Sequence, residues 1–273
     1  LLGAGQMMFL KIIAAIDPDQ NPKDLEAFLN ALNDKVEISQ DIVVLPGMVA
    51  DSLEAASPFE NVHDKLLIDA TSIVPTDPRS PDEPLEGSYN QPTPEWRQHG
   101  KASPPFEGLE AVEALDGVHQ ARMLRPNMLV VSTTIEGTPS PRTGQHDGDD
   151  THEAQRIEQI IQLRNSIWQL DSKKNLRWLF ITNDDLDMTH TKARRRLLWQ
   201  LTARFDVGRG LTFDKGRDRL CWDATTPIPS QEHGVRRWPA VTLHDEETLA
   251  KVASHPELKK YEWPPHLSFG GPE

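Results

Sequence analysis

Cysteine is nearly absent from this 273-residue chain, tyrosine occurs only twice, and no long apolar run interrupts it. The lone Cys221 cannot form a disulfide within the chain, so a reducing compartment is the natural expectation. It lies in the apolar run Leu220-Cys221-Trp222, which suits a small buried residue better than a catalytic thiolate. Nothing approaches the roughly 18 apolar residues of a membrane span, and no signal-peptide pattern occurs, which makes the cytoplasm the expected location. Basic charge is also in deficit. The net charge is -13 and the sequence pI is near 5.2, whereas a nucleic-acid binder needs a basic face to displace counterions. The one dense basic run, Arg194-Arg195-Arg196, falls in a predicted helix and reads as a solvated or subunit-facing surface. GxSxG, a Walker-type glycine loop and CxxC are all missing. Gly3-Ala4-Gly5 precedes a strand instead of following one, so it is no dinucleotide fingerprint. The chain also starts at Leu1 with no Met, which raises the expectation of a piece of something longer.

What is present is enough apolar material for a core, 37% of residues, and 22 prolines that cluster. Lys11 to Ile16 is a short apolar run closed by Asp17-Pro18-Asp19, the pattern of a buried strand. A helix is predicted over 22–34, with apolar residues at Leu25, Phe28, Leu29 and Leu32, Pro22 in its first turn and Asn21 as N-cap. Ile42 to Leu45 and Lys65 to Ile68 read as strands. Residues 76–106 form a Pro-rich linker. Then come a short helix at 109–115, a strand at 127–134, a polar loop at 137–150 and an amphipathic helix marked by Ile157, Ile160, Ile161, Leu163, Ile167, Trp168 and Leu170. A strand at 176–182 ends at Asn183-Asp184-Asp185. A helix over 189–204, strands at 211–213 and 219–223, and a helix over 246–261 complete the prediction.

Two landmarks recur in the same order. The Lys11-led strand and its acidic loop match Arg177 and the strand closed by Asn183-Asp184-Asp185. Asp69-Ala70-Thr71 matches Asp223-Ala224-Thr225. The interval between landmarks is 52 residues from Asp17 to Asp69 and 40 from Asn183 to Asp223, so the second unit is shorter between its helix and its last strand. An internal repeat of strand-helix-strand units is expected, each forming a sheet with packed helices.

Leu10-Lys11, the loop from Asp17 to Leu25, and Lys65-Leu66-Leu67-Ile68-Asp69-Ala70-Thr71 together resemble the C-terminal domain of the UbiD-like decarboxylases. That family shows a Lys-led strand, a D-x-D-x-[DN]-x-x-D-L loop and a K-x-x-[IL]-D-A-T strand end. Trp199, Thr202 and Arg204-Phe205-Asp206 are similar to its W-A-x-x-T-R-x-D helix end, with the Thr one place early. Arg177 replaces the leading Lys of the second unit, and the preceding loop carries about three extra residues. The resemblance implies an α/β fold of two related units with mixed sheets and packed helices. It divides the chain into a first unit (1–75), the linker (76–106), a connecting strand and helix (107–175), a second unit (176–245) and a C-terminal helix and tail (246–273).

It further implies the C-terminal, assembly and cofactor-domain-supporting part of a non-oxidative decarboxylase of aromatic or α,β-unsaturated carboxylic acids. Such enzymes use prenylated FMN with a divalent metal. The catalytic arginine and glutamates lie in an upstream domain, so no catalytic residue is expected in this segment and the segment alone is expected to be inactive. Lys11 is implied as a cofactor-phosphate ligand. The implied partners are that upstream catalytic domain and a second copy of the chain. Two other readings compete: a free-standing oligomerisation or interaction protein of this fold, and a metal-dependent hydrolase using the loop from His146 to His152, whose residue types could ligate a metal. That loop is rich in Gly and Asp, a poor base for a rigid site. Asp17-x-Asp19-x-Asn21 begins like a Ca²⁺ loop, but Pro22 and Phe28 stand where glycine and glutamate are required. No metal site is assigned.

Overall fold

The computed structural model describes residues 8–71, 104–138, 148–185, 193–231 and 246–257. Most of the Pro-rich linker, His146-Asp147, the side chains of Arg194 to Arg196, and the tail beyond 257 lie outside the described residues.

Two mixed sheets form, as expected for the fold class. The first unit runs β1 (Ile12–Ile16), α1 (Leu25–Lys35), α2 (Ile38–Asp41), β2 (Ile42–Val49) and β3 (Val62–Ala70). Its sheet has the order β1-β3-β2, with β1 parallel and β2 antiparallel to β3. Helix α3 (Leu109–Glu113), β4 (Val118–Arg125), β5 (Met128–Thr133) and α4 (Asp150–Leu170) follow. The chain then forms β6 (Trp178–Asn183), α5 (Ala193–Ala203), α6 (Val207–Gly210), β7 (Leu211–Phe213), β8 (Leu220–Ala224) and α7 (Glu246–Ser254). The second sheet has the order β4-β5-β6-β8-β7. The segment read as a connector, 107–175, thus contributes two strands to the second sheet.

Within that sheet, β6-β8-β7 has the same strand directions as β1-β3-β2. Registers agree residue by residue. Ile12 pairs with Leu66 as Trp178 pairs with Leu220, and Ile42 pairs with Ile68 as Leu211 pairs with Trp222. Each unit also places a four-residue helix, α2 or α6, directly before its antiparallel strand. The difference lies in the connection: 50–61 between β2 and β3, but only 214–219 between β7 and β8.

Strand β6 explains how the layers stack. Its residues alternate between two buried faces. Trp178 and Phe180 join a core shared with Leu66, Ile68, Ala70 and the apolar sides of α1 and α5. Leu179 and Ile181 join a second core with Val112, Ile160, Leu163 and Ile167 under α3 and α4. The second sheet is therefore covered on both faces, and the first sheet packs through the shared core. A cavity of about 260 Å³ persists in that core, lined by residues of both units, including Ala14, Phe28 and Phe180.

Several predicted boundaries are corrected. Helix α1 starts at Leu25, because the carboxylate of Asp24 accepts from the amides of Glu26 and Ala27, while Asn21 caps only the turn at Lys23. Strand β3 reaches back to Val62 and β2 runs on to Val49 through a bulge, where Gly47 takes φ +65. Strand β4 and helix α2 were not expected at all. Helix α7 ends at Ser254 instead of 261; Pro256 disfavours helical backbone at the residue before it.

Candidate functional site

Lys11 opens β1 and is buried, at 9% exposure. Its carbonyl accepts from the amide of Leu66, which fixes the strand, and its ammonium group donates 2.6 Å to the carbonyl of Phe205 in the second unit. The carboxylate of Glu54, from the long 50–61 connection, lies 2.9 Å away. Burial lowers the Lys11 pKa, opposed chiefly by Glu54 and then by Asp206. Asp206 caps α6 through the Arg209 amide at 3.1 Å, and burial raises its pKa. Next to this group lies Lys65, also buried, which donates 3.0 Å to the Leu10 carbonyl and to that of Met8.

His63 belongs to the same cluster. It is buried, and neither ring nitrogen has a hydrogen-bond partner. Burial and then the positive charge of Lys65 lower its pKa, Glu54 pulls the other way, and Lys11 adds a smaller lowering. The imidazole is held neutral in the fold, whereas the unfolded chain binds its proton near pH 6.5. Stability from this group is complete above about pH 6.5 and declines as pH falls toward the lower folded value. The expected result is a urea midpoint that drops between pH 7 and pH 5, and a His63→Leu variant with a flatter profile over that window. Equal pH dependence in both proteins would remove His63 from the explanation.

The two Asp-Ala-Thr ends have the same geometry. Asp69 Oδ1 accepts from the Thr71 amide at 3.1 Å and hydroxyl at 2.6 Å; Asp223 Oδ1 accepts from the Thr225 amide at 2.9 Å and hydroxyl at 2.6 Å. Asp223 also meets a buried cation, since Arg156 Nη1 reaches its other oxygen at 2.8 Å.

Of the loop proposed for a metal, Asp149 and His152 serve α4. Asp149 accepts from the amides of Thr151 and His152, and the His152 ring bonds back to the Asp149 amide, forming a capping box. Asp150 accepts from the Ser230 hydroxyl. Among the described residues no group of three or more His, Cys, Asp or Glu is placed to hold a metal. Cys221 is buried and its thiol pKa is raised by that burial, so the thiolate is disfavoured. On α5, Leu197 joins the core, while Leu198 and Trp199 are 43% and 45% exposed.

Sequence reasoning identified Lys11 and both Asp-Ala-Thr ends but missed Glu54, His63 and the Phe205 carbonyl. Glu54 sits in a polar connection without periodicity, and a backbone carbonyl carries no sequence signal. His63 shares its face of β3 with Lys65, Leu67 and Asp69, opposite the core residues Leu66, Ile68 and Ala70, so the strand's alternation carries no inward signal for it.

Residues 1–70 match the family described as 3-octaprenyl-4-hydroxybenzoate carboxy-lyase C-terminal domain. The phenolic acid decarboxylase of Escherichia coli O157:H7 is 36% identical over 84 residues, 31% of this chain and 16% of that protein. An uncharacterised protein of Aeropyrum pernix is 36% identical over 75 residues, 28% of this chain and 15% of the relative. The matches thus span about a sixth of the curated relatives' own length. Among solved structures, the vanillic acid decarboxylase of Sedimentibacter hydroxybenzoicus in its closed form is 27% identical, covering 33% of this chain and 18% of that one at a TM-score of 0.27. A superposition that low transfers neither architecture nor chemistry. No described helix is long and apolar enough to cross a membrane. It is the first unit, with its Lys-led strand and Asp-Ala-Thr end, that carries the likeness to the C-terminal domain of the 3-octaprenyl-4-hydroxybenzoate carboxy-lyases.

Proposed function

We propose that this chain is the C-terminal, assembly and cofactor-domain-supporting part of a non-oxidative decarboxylase of aromatic or α,β-unsaturated carboxylic acids, working in the cytoplasm. The observation that carries this reading is the family match over residues 1–70, which contain both the Lys11-led strand and the Asp69 turn. The two units are read as copies of one ancestral unit, supported by their equal strand directions, registers and Asp-Ala-Thr turns.

In the parent enzyme prenylated FMN, held with a divalent metal by the upstream domain, supplies the electron sink for loss of CO2. This chain's share is placement and charge. Lys11 is the residue proposed to meet the cofactor phosphate, and a buried ammonium is suited to that anion. The fit is conditional on Glu54, whose carboxylate already stands 2.9 Å from the ammonium; a phosphate has to take its place. The Phe205 carbonyl continues to orient Lys11 in either case. Self-association, the other implied role, is proposed through the exposed side of α5 at Leu198 and Trp199. Arg and Trp are favoured at the centre of such contacts.

The purified chain, supplied with prenylated FMN and a panel of aromatic acids, is expected to show no turnover and no tight retention of the cofactor. Release of CO2 from any of these acids by the chain alone would overturn the assignment of catalysis to another domain.

A further inference from the structure

Lys11 is one half of a reciprocal contact. Arg177, at the equivalent head of β6, is likewise buried, and its guanidinium crosses in the opposite direction. It donates to the carbonyl of Val36 and, at 3.4 Å, to that of Asn33, with Glu37 3.7 Å away. Val36 and Phe205 occupy equivalent places, each just before the N-cap of the short helix, at Glu37 in the first unit and Asp206 in the second. Residue i of one unit thus meets residue j of the other, and j meets i, which is the signature of a twofold, self-complementary interface.

The apolar part of the contact is not symmetric in size. Ile12, Ala14 and Ile68 hold the register positions that Trp178, Phe180 and Trp222 hold in the second unit. All six join one core and line one cavity. The large side is ordered: Trp178 and Phe180 stack at 6.2 Å, Phe180 and Trp222 meet at 5.9 Å, and the Trp222 indole donates 3.0 Å to the Leu201 carbonyl. Two small faces together would enlarge the cavity already present, and two aromatic faces would overfill the same space. Discrimination comes from the mismatch as much as from the match.

We infer that each unit's pairing face is built for the other unit of the same chain, as an internal hetero-pair clasped at both ends by Lys11 and Arg177. The strand-head cations act across the interface as positioning residues, and a second copy of the chain has to associate through a different surface.

Hydrogen exchange on the full chain tests this. Lys11→Met is expected to speed exchange of the 204–210 amides, in the opposite unit, by about tenfold or more, and Arg177→Met that of the 36–42 amides. Lys11→Arg and Arg177→Lys are expected to restore most of the protection, because the charge still reaches across. Should a methionine variant not fold, the two conservative variants give the same readout, with a few-fold increase confined to the opposite unit's segment. Faster exchange only within the substituted residue's own unit, or unchanged exchange across the interface, would overturn the inference.

Discussion

Arg156→Met is expected to lower the free energy of unfolding by about 3–5 kcal/mol at pH 7, because it strands two carboxylates in the interior. The guanidinium is buried and uses nearly its whole fork. Nε and Nη2 each reach the Glu153 carboxylate at 2.8 Å, while Nη1 reaches Asp223 at 2.8 Å and the Thr225 hydroxyl at 2.7 Å. Glu153 has no exposed surface and also accepts from the Ile228 amide at 2.8 Å. Burial works against the Arg156 charge, but Asp223 and Glu153 together raise its pKa, so the cation is firmly held. Methionine matches much of the volume and supplies none of the donors. Urea unfolding of both proteins at pH 7 measures this; equal midpoints would mean the network contributes nothing net.

The second large effect is a difference between two matched substitutions. Asp69→Ala removes an acceptor from the Thr71 amide and hydroxyl, for an expected loss of about 1–3 kcal/mol. Asp223→Ala removes the same turn bonds and also leaves Arg156 short of a counter-ion, so the expected loss rises to about 3–5 kcal/mol. The buried pair is isolated by making Asp223→Ala in the Arg156→Met background, where the loss is expected to shrink to that of the turn bonds. An undiminished loss there would show that Glu153 alone satisfies Arg156.

The same residues show which parts of the fold are legible in the sequence itself. Strands β1, β3, β6 and β8 were legible because each is a short, nearly continuous apolar run closed by a turn residue, and the Asp-Ala-Thr ends tied β3 to β8. Strand β4 was not. Its pairing with β5 shifts register near each end, between Val118 and Gln120 and between Met123 and Arg125, so the side chains lose the simple alternation that marks a strand. Helix α2 is a single turn and too short to show a period. The start of α4 was readable only in part. Asp149 is an ordinary cap residue, but the His at N3 takes the place usually held by Glu or Gln, and the pair resembled metal ligands instead. For the site, sequence pointed to Lys11 and named neither Glu54 nor the Phe205 carbonyl, because both reach it through tertiary packing.

The crossed contacts have a consequence for how this protein is made. Lys11 meets Phe205 across 194 positions of chain, and Arg177 meets Val36 across 141. The first unit leaves the ribosome with Ile12, Ala14 and Ile68 uncovered, and β8, which ends at Ala224, emerges about 150 residues after β3 ends at Ala70. At ~5–20 residues per second that interval is roughly 8–30 s. For that time the nascent chain displays an apolar sheet face with no counterpart, together with the edge strand β1. The window of greatest exposure to chaperones, and to association with neighbouring nascent chains, therefore falls in the middle of translation.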